Sequence, residues 1–154
     1  MHSRIIEARE SKDKLCGLKP DELYELDCVK EFADYVRYTD KEEDPAYYLS
    51  RPGLYYDSED RSLTIVDKKK FFEGRYEKLI DAAEKLSKIT LDEFVNDSKW
   101  ELIWNIQHYY DDTTEVHLCG LDYYGEIPFT LYEWVRAFDE GTKIYIGNVL
   151  DYHY

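Results

Sequence analysis

Apolar side chains recur at helical spacing in two stretches of the first half of the chain. Leu23, Leu26, Val29, Phe32, Ala33 and Val36 mark one face of a helix that opens near Pro20 and runs to about Tyr38. Pro20 suits a first helical turn, and Asp21 and Glu22 suit the positive end of the helix dipole. The opposite face, Glu25, Asp27, Lys30, Glu31 and Asp34, reads as an ordinary solvated surface. Phe72, Tyr76, Leu79, Ile80, Ala83 and Leu86 mark a second helix over roughly 68–88, with Asp67 placed to cap it. Gly74 inside that helix costs about 1 kcal/mol relative to Ala. Lys68-Lys-Lys70 is a basic cluster at the helix start and reads as solubilising.

Other stretches carry strand patterns. Ile5 and Ile6 can start a short strand, and Gly53–Asp57 and Ser62–Val66 predict a hairpin through residues 58–61. Alternation of Leu102, Trp104 and Ile106 predicts a strand over 101–109, although Trp100, Ile103, Trp104 and Gln107 fit a helix as well. A turn at 111–114, a strand at 115–119, an aromatic polar loop at 122–126 and a strand at 143–146 complete the pattern. Two segments share a design: Thr90-Leu-Asp-Glu-Phe-Val95 and Thr130-Leu-Tyr-Glu-Trp-Val135. In each, Thr followed three residues later by Glu forms a capping box for a short helix. The expected fold is α+β, a single compact domain spanning 1–154. Two longer helices lie in its N-terminal half, and antiparallel strands with two short capped helices in its C-terminal half.

Charge changes the picture more than hydropathy does. The chain has 34 acids against 20 bases, a formal charge of −14. Residues 89–154 hold Lys99, Arg136 and Lys143 against 13 acids, so the excess gathers there. Such a field repels nucleic acid and anionic lipid, which argues against direct binding to either and for a basic partner. With 44% hydrophobic and 16% aromatic residues the chain still has material for a core. Cys16, Cys28 and Cys119 are odd in number and lack CxxC spacing, which speaks against a disulfide framework. The opening residues lack the apolar stretch of a signal peptide, and no apolar run reaches the roughly 20 residues needed to span a bilayer. The expectation is a cytoplasmic protein.

Catalytic chemistry has little purchase on these residues. No GxGxxG, GxxxxGK, HExxH or GxSxG run is present, and no cofactor is implied. His108, His117 and Cys119 are the nearest approach to a zinc set, but apolar alternation through Val116 and Leu118 turns His117 away from His108. The acids of 111–122 could hold a hard cation, yet Asp in a turn ordinarily bonds its own backbone. Tyrosine is unusual, with 16 residues and pairs at 47–48, 55–56, 109–110 and 123–124. One member of each pair in an alternating strand faces outward, and exposed Tyr beside Asp suits a binding surface.

These features point to a small acidic inhibitor. It would bind a basic nucleic-acid-binding protein, such as a nucleic-acid enzyme, and occupy the groove built for a duplex carrying one charge per about 1.7 Å. In composition it is similar to the small phage and mobile-element proteins that block restriction or CRISPR machinery. Asp111, Asp112, Glu115, Asp122, Glu126, Asp139 and Glu140 form the expected charged surface, with Tyr110, Tyr123 and Tyr124 as anchors. An immunity protein that neutralises a cationic nuclease toxin fits the same electrostatics. An enzyme using the 111–122 acids or His108, His117 and Cys119 is a third reading, and a homodimer joined through aromatics a fourth.

Overall fold

In the computed structural model one long strand organises the sheet. The residues described are 2–39, 43–97, 99–110 (side chains to 107), 116–121 and 128–153. The long strand is β7, Lys143–His153, rich in the β-branched and aromatic side chains that favour extended chain. Along one edge it pairs antiparallel with β1, His2–Arg9. Along the other edge it receives two short strands end to end. These are β4, Ser62–Ile65, and β2, Tyr35–Tyr38. The hairpin partner β3, Leu54–Asp57, lies outside β4. Beyond β1 come β5, His117–Cys119, in parallel, and then β6, Phe129–Thr130, antiparallel to β5. The seven-stranded sheet therefore runs β3-β4-β7-β1-β5-β6, with β2 also on β7.

Seven α-helices are present among the described residues. The first two, α1 (Pro20–Tyr24) and α2 (Asp27–Lys30), bring Leu23 and Val29 onto Ile5, Cys119, Leu150 and Tyr152. A short α3 covers Ala46–Leu49, and α4, the longest, covers Lys68–Ser87. Then come α5, Leu91–Asn96, and α6, Trp100–Tyr110. The last helix, α7, Leu131–Ala137, packs on β5 and β6. Its Leu131, Trp134 and Val135 are fully buried.

A bulge marks the middle of β7. Ile6 pairs with Val149 and Ala8 with Ile146, so Gly147 and Asn148 together oppose Glu7. The Glu7 carboxylate is buried beneath the 15–18 loop and accepts the backbone N–H groups of Cys16 (2.8 Å), Gly17 (3.1 Å) and Leu18 (3.4 Å). Gly147 is needed beside it, because a Cβ there would collide with that carboxylate.

The α+β class is the one the sequence leads to, and several elements fall where the pattern puts them. The β3–β4 hairpin, α4, and both capping boxes are present. Thr90 accepts the Glu93 amide, Thr130 accepts the Glu133 amide, and each Glu reaches back to its threonine. Two expectations are corrected. The helix expected from Pro20 to Tyr38 is broken at Leu26, whose backbone is extended, and its last four residues form β2 instead. The free edge of β7 supplies hydrogen bonds that a longer helix would have to match. Of the two longer N-terminal helices, α4 alone is long. Residues 100–110 form a helix, so the strand expected over 101–109 gives way to the helical alternative. Its would-be partner, 117–119, pairs with β1 and β6.

By contact density the chain divides into two compact units. One comprises Met1–Lys68 with Thr114–Tyr154, and the other Lys69–Thr113. The first holds the sheet, on which consecutive residues such as Ile5 and Ile6 are both buried, so apolar side chains are covered on both faces. The second holds most of α4 together with α5 and α6. Of its described residues only Phe71 and Ala82 are buried.

Candidate protein-interaction surface

Most residues singled out from the sequence as a charged surface lie outside the described residues: Asp111, Asp112, Glu115, Asp122, Tyr123, Tyr124 and Glu126. Tyr110 closes α6, and its side chain is likewise outside. Two of the set are described. Asp139 is exposed, and its carbonyl accepts the Thr142 N–H in the turn before β7. Glu140 is committed to the fold, since its carboxylate accepts the Lys68 backbone N–H at the start of α4. The Lys68 ammonium in turn donates to the carbonyls of Arg136 and Phe138. The lysine that looked solubilising thus ties the end of α7 to the start of α4.

The tyrosine pairs at 47–48 and 55–56 split as outward and inward members. Tyr47 and Tyr55 are exposed, while the Tyr48 hydroxyl donates to Glu43 and Tyr56 is half-buried. Burial raises the Tyr48 phenol above its ordinary value, and the Glu43 bond adds to it.

The capped helices α5 and α7 are the most informative comparison in the molecule. Each opens on a capping box, and each carries an apolar stripe at the same three offsets. On α7 the stripe is Leu131, Trp134 and Val135, and none of it meets solvent. On α5 it is Leu91, Phe94 and Val95, and all three are exposed. Helix α6 repeats the spacing with Trp100, Ile103 and Trp104, also exposed, and its two tryptophan rings lie 6.1 Å apart. These six side chains are 43–77% exposed. Full burial of such a side chain is worth about 1.5–3 kcal/mol, so leaving six largely in water forgoes on the order of 5–10 kcal/mol, comparable with the whole stability of a domain. Scattered exposed hydrophobes are ordinary, but stripes of this kind mark interaction sites. Sequence reasoning read Leu102, Trp104 and Ile106 as one strand's core face. The repeated 0, 3, 4 offsets were the signal for three alike stripes.

Acids line these two helices. Glu93 serves the capping box, and the Thr90 backbone and hydroxyl hold its carboxyl below the usual range. Lys99 donates to Asp97 at 2.8 Å, which raises its ammonium above the usual value. Among the described residues, Asp92 and Glu101 have no ion-pair partner, so each of the two helices carries a carboxylate available to a cation.

Elsewhere, polar clusters hold the fold together. His117 and Cys119 share one face of β5, as alternation requires, and both are buried. The His117 ring stacks on Phe32 at 4.4 Å, and its Nδ1 lies 3.2 Å from the Tyr152 hydroxyl. Those contacts make it a core histidine. His108 lies on α6, with its side chain outside the described residues. Among the described residues no three His, Cys, Asp or Glu side chains converge as a metal site would require. Buried Asp151 accepts from Arg4 (2.6 Å) and Arg37 (2.9 Å) and meets His2 Nδ1 at 3.0 Å. Arg4 also grips Glu43 through Nε and Nη2, which holds the Glu43 carboxyl below its ordinary range. This network fastens β1, β2 and β7 to the start of the 43–49 segment. A cleft of about 620 Å³ is lined by Glu7, Tyr38, Glu43, Arg61, Gly147 and Asn148. Glu7, Glu43 and Arg61 already bond protein groups there: the guanidinium of Arg61 donates to the carbonyls of Ile146 and Gly147.

No helix among the described residues is long and apolar enough to cross a membrane. No protein-family model, no curated protein and no solved structure matches the chain.

Proposed function

We propose that this chain is a small acidic binding protein that holds a basic, nucleic-acid-binding protein and blocks its nucleic-acid groove. The observation that carries the reading is the pair of apolar stripes on α5 and α6, exposed and set among acids. A charge of −14 favours encounter with a cationic surface and disfavours nucleic acid itself. Exposed aromatics supply the anchoring that charge alone does not. An immunity protein for a nuclease toxin is the same chemistry with a different target.

The test is affinity capture from host lysate at low and high salt, followed by a nucleic-acid-binding assay on whatever protein is retained. Support is a basic protein held more tightly at low salt whose nucleic-acid binding falls as this chain is added. A retained protein that binds nucleic acid equally well with the chain present refutes the blocking role. Capture of neutral or acidic proteins alone refutes the electrostatic one.

A further inference from the structure

We infer that the stripes of α5 and α6 together form the docking surface, and that they take an apolar surface rimmed by lysine and arginine on another protein. This inference rests on the binding-protein reading and names where and how the partner is gripped. The strongest reason is internal to the molecule. Helix α7 has the same cap and stripe as α5, and the fold buries that stripe completely. Leu91, Phe94 and Val95 are therefore a stripe of core quality whose cover is not among the described residues.

The second reason is how little the 69–113 unit buries for itself. Phe71 and Ala82 are its only buried described residues. Helices as short as α5 and α6, of 6 and 11 residues, are marginal in water without tertiary burial. Phe94, Trp100 and Trp104 alone present roughly 260–430 Å² at about 150–250 Å² per aromatic side chain, comparable with a functional patch.

Charge decides the occupant. A second copy would bring the same four acids of this segment, Asp92, Glu93, Asp97 and Glu101, against themselves, with Lys99 already paired to Asp97. A partner with a cationic rim meets Asp92 and Glu101 with opposite charge. The mode is helix-in-groove recognition, in which i, i+3 and i+4 side chains provide the anchors.

Tryptophan emission reads this surface directly. Of the three tryptophans, Trp100 and Trp104 are exposed on α6, and Trp134 is buried in α7. The probe is a synthetic amphipathic helix with leucines on one face and lysines on the other, compared with its leucine–glutamate counterpart. With the lysine helix, emission is expected to shift to the blue and resist acrylamide quenching. The affinity should fall at least tenfold in the Leu91→Ser/Phe94→Ser/Val95→Ser variant and several-fold in Asp92→Asn/Glu101→Gln. No shift with the lysine helix, equal response to both helices, or equal affinity in the Ser variant overturns the inference. So does a blue-shifted emission of the protein alone that tracks a doubling of mass in sedimentation, which would make a second copy the occupant. The parent reading fails differently. If the Ser variant still captures a basic protein from lysate as well as the wild type does, the surface is wrong and the binding-protein reading stands. If neither captures one while the lysine helix still docks, the surface stands and the reading fails.

Discussion

Replacing Glu7 with Gln should destabilise the sheet unit by about 3 kcal/mol, and the geometry says why. A buried carboxylate is an acceptor at both oxygens. Here those oxygens face three backbone donors, the N–H groups of Cys16, Gly17 and Leu18, at 2.8–3.4 Å. Gln keeps one acceptor and turns an NH₂ towards the remaining donors. One buried N–H left unsatisfied costs about 1–3 kcal/mol, and loss of the ionic component of the other bonds adds about 1 kcal/mol each. The lower cost of burying an amide than a carboxylate offsets part of this. For a chain of this size 3 kcal/mol corresponds to a melting point lower by roughly 6–12 °C. The assay is urea unfolding followed by Trp134 emission in a Trp100→Phe/Trp104→Phe background, which reports on the sheet unit. Amide exchange at residues 16–18 should accelerate in parallel. A Glu7→Gln midpoint within about 0.5 kcal/mol of the parent, with those amides still protected, would refute the view that the two acceptor oxygens of Glu7 anchor the 15–18 loop.

Three further outcomes follow from the same structure. Gly147→Ala should destabilise the sheet unit by several kcal/mol in the same urea assay, since its Cβ meets the Glu7 carboxylate at the bulge. Thr130→Ala should cost about 1 kcal/mol, because it removes the acceptor of the Glu133 amide at the start of α7, while Thr130→Ser should restore most of it. Acid unfolding should carry a contribution from Glu43, whose carboxyl is depressed chiefly by its hydrogen bond with Arg4. A depressed carboxyl stabilises above its unfolded value of about 4.3 and loses that stability as pH falls through the folded value. Glu43→Gln should therefore be less stable than the parent at pH 7, and the gap should close below about pH 4. A gap that persists unchanged to low pH would count against the ion pair with Arg4.

The parts of this fold that were legible in the sequence are those decided within a few residues. Thr90/Glu93 and Thr130/Glu133 are capping boxes because both partners lie in one turn. The 54–65 hairpin follows from two β-rich runs and a short polar link. What the pattern missed was decided at long range. Tyr35–Tyr38 continues a helical apolar spacing, yet β7 offers an unpaired edge more than a hundred residues later. Leu102, Trp104 and Ile106 alternate like a strand, but His117–Cys119 is claimed by β1 in a parallel pairing that no local signal announces. For the site, charge pointed to the C-terminal acids, and of those described Glu140 serves the start of α4. The stripes on α5 and α6 were visible as hydrophobic periodicity. Their exposure was not, since a stripe reads alike whether or not something covers it.

That last ambiguity is why α7 matters to the functional argument. The sequence of α7 and that of α5 differ little in cap or stripe, so propensity cannot explain why one is enclosed and the other bare. The difference lies in what each helix has to pack against. Helix α7 follows β6 directly and lies on β5 and β6, which take Leu131, Trp134 and Val135 into the interior. Helix α5 belongs to a unit with two buried described residues, which offers no comparable floor. Exposed apolar surface invites non-specific association, so such stripes stand out on a solvent-facing helix. Leu91, Phe94 and Val95 on α5 and Trp100 and Trp104 on α6, with Asp92 and Glu101 beside them, would on the proposed reading combine adhesion with a charge filter. On that reading, like-charged proteins would be repelled before the apolar contact forms, and a basic protein would be drawn in.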